Sequence, residues 1–158
     1  KCLEKALIKL LEMKKLEGKE LENDIKKRLD IIKNSIGIID NNKKDASEKF
    51  QKKLTTKLEE YNCKDHENED KILKEIAIFA EKVDITEELL RISSHLKQFF
   101  SLFDSEIPQG RKLDFLIQEF MREINTIGSK SSNIEISKQV VEIKAELEKI
   151  REQVQNIE

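Results

Sequence analysis

Apolar residues recur at helical spacing from one end of this chain to the other. Leu3, Leu7 and Leu10, then Leu21, Ile25, Leu29, Ile32, Ile36 and Ile39, and later Phe50, Leu54, Leu58 and Tyr61 keep one rhythm. No proline interrupts it, which predicts a long helical arm over residues 1–62. Gly18 and Gly37 are its weak points, and Asp40-Asn41-Asn42 is a place where it could break in two, near residue 40. A continuous helix here would reach on the order of 90 Å at ~1.5 Å per residue. One compact core cannot cover that length, so the arm must pack on something else.

Residues 62–70 are polar and patternless, as a loop would be. A short helix follows, turning Ile72, Ile76, Phe79 and Val83 inward. Asp84 is placed to cap the next helix, with Glu87 at its third position, and that helix should run to about Phe103. Ser105 to Gly110 reads as a turn, with Pro108 able to enter the first turn of the following helix. That helix should span Arg111 to Ile127, and Gly128 to Asn133 should break it, with Ser132 and Glu135 forming a capping box. The last helix then runs close to the C-terminus.

This last helix has a different pattern. Ile136, Val140, Ile143, Leu147, Ile150, Val154 and Ile157 alternate spacings of four and three, a coiled-coil seam. With Ile136 at d, isoleucine fills the d positions, which disfavours a simple parallel dimer. The seam therefore pairs with the long first segment inside one chain, or it forms a subunit interface.

Composition narrows the fold. Of 158 residues 39% are charged and 5% aromatic, with one Pro, four Gly and no Trp, which suits long solvated helices and argues against a β-rich or disordered chain. The fold class is all-α: a long helical arm (1–62) and a helical bundle (63–158) ending in a coiled-coil-like helix. A net charge of −2 gives no global basic field. Charge is nonetheless uneven, with six basic and two acidic residues over Lys43 to Lys57, and five basic against nine acidic over Asn68 to Gly110. The first run could meet phosphates and the second cations, although solvated helix faces also look like this. Cys2 and Cys63 form no framework and no zinc spacing, and nothing resembles a signal peptide or a membrane span. A reducing cytoplasm is the expected location. The chain starts at Lys1 inside a helical pattern, which suggests part of a longer protein.

Candidate chemistry lies on two helices. In the helix from Arg111, Leu113, Leu116, Ile117, Phe120, Ile124 and Ile127 share the core arc, while Asp114, Gln118, Arg122 and Asn125 lie opposite. Glu119 and Glu123, one turn apart on the border, could share a divalent metal, and Arg122 beside them could bind a phosphate in bidentate fashion. In the helix from Asp84, Glu88, Arg91 and His95 form a polar stripe, where His95 could act as general acid or base or as a metal ligand. Ordinary surface helices carry such arrangements too. GSKS at 128–131 lacks the strand and spaced glycine of a phosphate-binding loop, which excludes a nucleotide-triphosphatase.

Three stretches go further: DITEELLRISSHLKQF at 84–99, GRKLDFLIQEFMREINTIGSKS at 110–131 and VVEIKAELEKIREQVQNIE at 140–158. They closely resemble the C-terminal region of the YicC-like proteins, bacterial stress-induced endoribonucleases, and LEGKEL at 16–21 resembles an earlier helix of that family. The resemblance implies a metal-stimulated endoribonuclease assembled as a ring-like homo-oligomer, a hexamer, with a further domain preceding Lys1. It marks Glu87, Glu88, Arg91 and His95 on one helix. On the next it marks Arg111, Lys112, Asp114, Gln118, Glu119, Arg122, Glu123, Asn125 and Lys130.

On this reading Glu88, Asp114, Glu119 and Glu123 hold Mn²⁺ or Mg²⁺. His95, Glu119, Arg122 and Glu123 carry catalysis, and Arg91, Arg111, Lys112, Gln118, Asn125 and Lys130 contact RNA. The expected substrate is single-stranded or hairpin RNA and not DNA, since no element offers a groove reader. The competing expectation is a non-catalytic helical scaffold that oligomerises and binds RNA.

Overall fold

The computed structural model describes residues 2–60, 74, 77, 78, 80–103 and 110–155. Among these residues the ordered elements are helices: α1 (Cys2–Glu60), α2 (Thr86–Phe103), α3 (Gly110–Lys130) and α4 (Ile134–Val154), with no strand. The loop expected at 62–70, the turn at 105–109, most of the short helix before Asp84, and Ile157 of the seam lie outside the described residues.

α1 is a single helix of 59 residues, without the break considered near residue 40. Its turn-favouring residues are satisfied within the helix. Asn42 donates through Nδ2 to the carbonyl of Ile38 at 2.8 Å, and Lys43 pairs with Asp40 at 2.6 Å. With those side chains bonded back to the helix, they offer the backbone no competing turn.

The middle of α1 packs along α4, which runs antiparallel to it: Arg28 meets Glu146, and Asp24 meets Gln153. Ile25, Leu29, Ile32 and Ile39 from α1 are buried with Ile136, Val140, Ile143, Leu147, Ile150 and Val154 from α4. The heptad seam is thus closed inside one chain. α3 packs on the other flank of α4, and α2 packs on α3. Leu113, Leu116, Ile117, Phe120, Ile124 and Ile127 point inward from α3, and Leu89, Ile92 and Phe99 from α2, as their spacing predicts.

The first turns of α1 extend beyond this bundle. Leu3, Leu7 and Leu10 fall on the same arc as Ile25 and Ile32 at ~100° per residue, yet they are 77%, 53% and 53% exposed. α4 has only 21 residues, so it covers only part of a 59-residue rod.

The caps fix the helix starts. Asp84 Oδ1 accepts from the Thr86 N–H at 2.9 Å, and the hydrogen bonds from Thr86, its hydroxyl and then its backbone N–H, hold the Asp84 carboxyl below its ordinary range. At α4 the cap is Asn133 rather than Ser132: its Oδ1 accepts from the Glu135 N–H at 2.8 Å. α3 runs on to Lys130, three residues past the expected end, because Gly128 lets it pass close to α4. A Cβ on Gly128 would stand 3.2 Å from Cγ1 of Val140.

Candidate functional site

α2 and α3 lie side by side so that two polar stripes, whose contacts span 32 to 46 residues of sequence, face each other. At one end Lys130, the last residue of α3, reaches the start of α2. Its ammonium donates to Glu88 Oε1 at 2.7 Å and to the Asp84 carbonyl at 2.9 Å. Glu88 is 6% exposed, and its second oxygen, Oε2, is buried without a hydrogen-bond partner among the described residues.

One turn along α2, Arg91 spans the two helices. Its Nη1 donates to Glu123 Oε1 on α3 at 3.3 Å, and its Nη2 pairs with Glu87, one turn back. Glu123 is 8% exposed, whereas Arg91 opens to solvent. The bonds it donates to Glu123 and then to Glu87 push the guanidinium pKa further up, so this cation is permanent. A buried carboxylate on one side and an exposed one on the other hold the group in place and leave its outer edge accessible.

Another turn on, His95 packs its ring against Phe120 of α3, with centroids 5.8 Å apart and planes tilted by 55°. Its Nδ1 is buried and has no partner among the described residues. An imidazole nitrogen left unmet in this way has hydrogen-bonding capacity to spare.

The outer face of α3 presents the remaining residues. Arg111, Lys112, Gln118, Arg122 and Asn125 are exposed. Arg122 pairs with Glu119 one turn before it, and Arg111 and Lys112 make no ion pair among the described residues. Phe115, passed over in the sequence reading, stands among them 58% exposed. The signal that would have found it was its phase, on the far side of α3 from Phe120.

The structure thus brings Glu88, Arg91, His95, Glu123 and Lys130 together along the α2–α3 edge and keeps Asp114 apart from them. Asp114 accepts from Gln118 at 2.8 Å and from Arg151 of α4 at 3.3 Å, on the other flank of α3. Among the described residues no three His, Cys, Asp or Glu side chains gather as a metal site would require. Lys130 holds Glu88, Arg91 holds Glu123, and Arg151 lies on Asp114. Glu119, whose partner Arg122 is itself exposed, is the carboxylate of the four best able to exchange its cation. A set of four converging ligands therefore does not fit this arrangement.

Comparison with known proteins agrees with the resemblance read from the sequence. The family described as "Endoribonuclease YicC-like, C-terminal" matches residues 39–158. A protein of Clostridioides difficile named "Probable endoribonuclease YicC" is 48% identical over 158 residues, covering 99% of this chain and 54% of that protein. A protein of the same name from Haemophilus influenzae is 32% identical over 152 residues, covering 96% of this chain and 52% of its own length. The chain spans about half the length of these curated relatives. With the family profile matching most of its residues, this chain belongs to the YicC-like endoribonuclease family.

Proposed function

We propose that this chain is the RNA-engaging part of an endoribonuclease acting on single-stranded or hairpin RNA, with the α2–α3 edge and the outer face of α3 as its working surface. The observation that carries this reading is Arg91, an exposed guanidinium fixed between Glu87 and buried Glu123 beside a face bearing Arg111, Lys112 and Arg122. A guanidinium already held in place loses little freedom when it meets a phosphate, and its remaining N–H groups match the phosphate oxygens.

In this scheme Arg91 and Arg122 bind the scissile phosphate and stabilise the charge that grows on it as water attacks phosphorus. Arg111 and Lys112 hold flanking phosphates, and Gln118 and Asn125 offer neutral hydrogen bonds. His95 gives a proton to the departing ribose oxygen as the phosphorus–oxygen bond breaks. A divalent ion, Mn²⁺ or Mg²⁺, held by Glu119 and by the RNA itself, would neutralise phosphate charge and make a bound water more acidic. Homo-oligomer formation, implied by the family resemblance, belongs to the same proposal, and the exposed stripe of Leu3, Leu7 and Leu10 on α1 favours it.

The test is incubation of the chain with an end-labelled hairpin RNA and Mn²⁺, with and without EDTA. Internal cleavage abolished by EDTA supports the reading. A folded helical chain that neither cleaves nor retains the RNA overturns it.

A second reading, a helical scaffold without catalysis, is favoured by the internal pairing of Lys130 and by near-neutral charge over residues 111–151, eight basic against seven acidic. It expects RNA affinity that scarcely changes with salt, because few counterions would be released. It also expects charge reversal at Glu119 to alter assembly mass before it alters RNA retention.

A further inference from the structure

We propose that Phe115 is a stacking platform for one unpaired nucleobase, and that it makes the outer face of α3 selective for single-stranded RNA. This rests on the proposed RNA-binding role of that face and assigns it a specific ligand.

At ~100° per residue, Arg111, Phe115, Gln118 and Arg122 fall within one arc of ~60°, on the opposite side of α3 from its core residues. The core side carries Phe120, 1% exposed, whereas Phe115 is 58% exposed. α2 meets α3 through Glu123 and Phe120, and α4 meets it near Asp114 and Gly128, so neither neighbouring helix covers Phe115. An exposed apolar ring has no use for water on its face.

What surrounds the ring selects its occupant. Arg111 and Lys112 lie one turn before Phe115, ~6 and ~4.5 Å along the axis, and Arg122 lies two turns after it, ~10 Å away. Arg111 and Lys112 form no ion pair among the described residues, so their charge is available. A flat aromatic group between cations matches a base lying between its own two phosphates. An apolar protein surface would match the ring but would bury the cations without partners, at a cost. Gln118, also exposed on this arc, can donate or accept at the base edge without choosing strongly among bases. Stacking is tolerant of base identity and requires an unstacked base, so the platform separates single strands from duplex more than one sequence from another.

The chain contains no tryptophan, which gives a direct probe. In Phe115→Trp the only indole would stand on the platform. Titration with a short single-stranded RNA should quench its emission, with affinity equal to or better than the unsubstituted chain. Phe115→Ala should weaken binding of that RNA about fivefold to a hundredfold, the range for loss of one base stack. It should leave binding of a blunt RNA duplex unchanged. An RNA series with one abasic position moved along the strand should weaken binding to the unsubstituted chain at one register and have no further effect on Phe115→Ala.

Quenching together with the abasic coupling establishes the platform. Unquenched emission in a Phe115→Trp chain that still binds RNA overturns it. So does equal weakening of single-stranded and duplex RNA by Phe115→Ala, or a change in assembly mass, which would make Phe115 a subunit contact. If the unsubstituted chain binds no RNA at all, the functional proposal fails first and the platform with it.

Discussion

Where α1 meets α4, charges border an apolar seam. Where α2 meets α3, charges lie along the edge that opens to solvent. At the first contact Arg28 bridges Asp24 and Glu146, Lys149 also donates to Glu146, and Gln153 donates to Asp24. The buried atoms left over on α4 are amide oxygens, of Gln139 and Gln153, and each of these residues already donates through its NH₂. At the second contact the leftover atoms are a carboxylate oxygen of Glu88 and a ring nitrogen of His95. An unmet carboxylate or imidazole costs more than an unmet amide oxygen, and it also has more chemistry to offer. The same kinds of residue thus build a clamp that sets helix register at one contact and a surface with unused capacity at the other.

Damage to the clamp's apolar seam should have the gravest consequence for the fold. Ile32 is fully buried between α1 and α4. Ile32→Asp puts an unpaired charge there and should cost more than about 4 kcal/mol. Circular dichroism at 222 nm should show loss of cooperative melting. A melting temperature within about 2 °C of the parent would mean that α1 and α4 are not the core of this fold.

Arg91 should behave in the opposite way. Arg91→Ala should lower RNA cleavage by about 10² to 10³. It should disturb melting far less than Ile32→Asp does, because the pair with Glu87 is exposed, Arg91 itself is open to water, and only the Glu123 carboxylate loses a buried contact. Equal losses in melting temperature and in cleavage would make the α2–α3 edge a second clamp.

A smaller effect sharpens the boundary between the two regions. Lys130 was expected to contact RNA, but its ammonium is engaged by Glu88 and by the Asp84 carbonyl. Lys130→Met should strand the buried Glu88 carboxylate and cost about 1–3 kcal/mol in urea unfolding. Adding Glu88→Leu should recover much of that loss, and RNA retention should hardly move in either variant. A drop in RNA retention larger than the loss of stability would return Lys130 to the RNA-binding surface.

Much of this architecture was legible in the sequence because it depends on local spacing. The core faces of α2, α3 and α4 follow from apolar phase alone, and Asp84 caps α2 because a short acceptor precedes a helical run. The break considered near residue 40 did not occur, since Asn42 and Asp40 found partners within α1 and Ile39 was held in the α1–α4 seam. The α4 cap moved from Ser132 to Asn133, one residue, the scale on which caps compete.

The site was legible as residues and not as pairings. Helical phase put Glu88, Asp114, Glu119 and Glu123 on polar faces, but it carries no information about which cation stands on the next helix. Lys130 answers Glu88, Arg91 answers Glu123 and Arg151 answers Asp114, and each of those cations comes from another helix. Phe115 was missed for a different reason: phase kept it off the core arc, but the residues opposite that arc were read only for charge and hydrogen bonding.

The smallest expected effect is an acid titration, which compares the two regions by sign and slope. Asp24 is held below its ordinary pKa by the hydrogen bond from Gln153 and then by that from Arg28. Glu146 is held down by Lys149 and then by Arg28, against an upward push from burial. A carboxyl whose folded pKa is lowered contributes its stability at pH values above its unfolded pKa, about 4 for these residues. It loses that contribution as pH falls through the folded value, while Arg28, whose pKa is raised, stays charged throughout. From these groups the melting temperature should therefore be level between about pH 8 and 5 and fall below about pH 4. Asp84 is lowered too, by Thr86, so the start of α2 adds a part of the same sign. Because the clamp holds two such carboxyls, Asp24→Asn with Glu146→Gln should flatten the acid limb more than Asp84→Asn does. Partial solvent exposure of Asp24 keeps the difference modest. If Asp84→Asn flattened the limb more, the acid-sensitive contact would lie at the α2–α3 edge, and the clamp would owe its stability to its apolar seam alone.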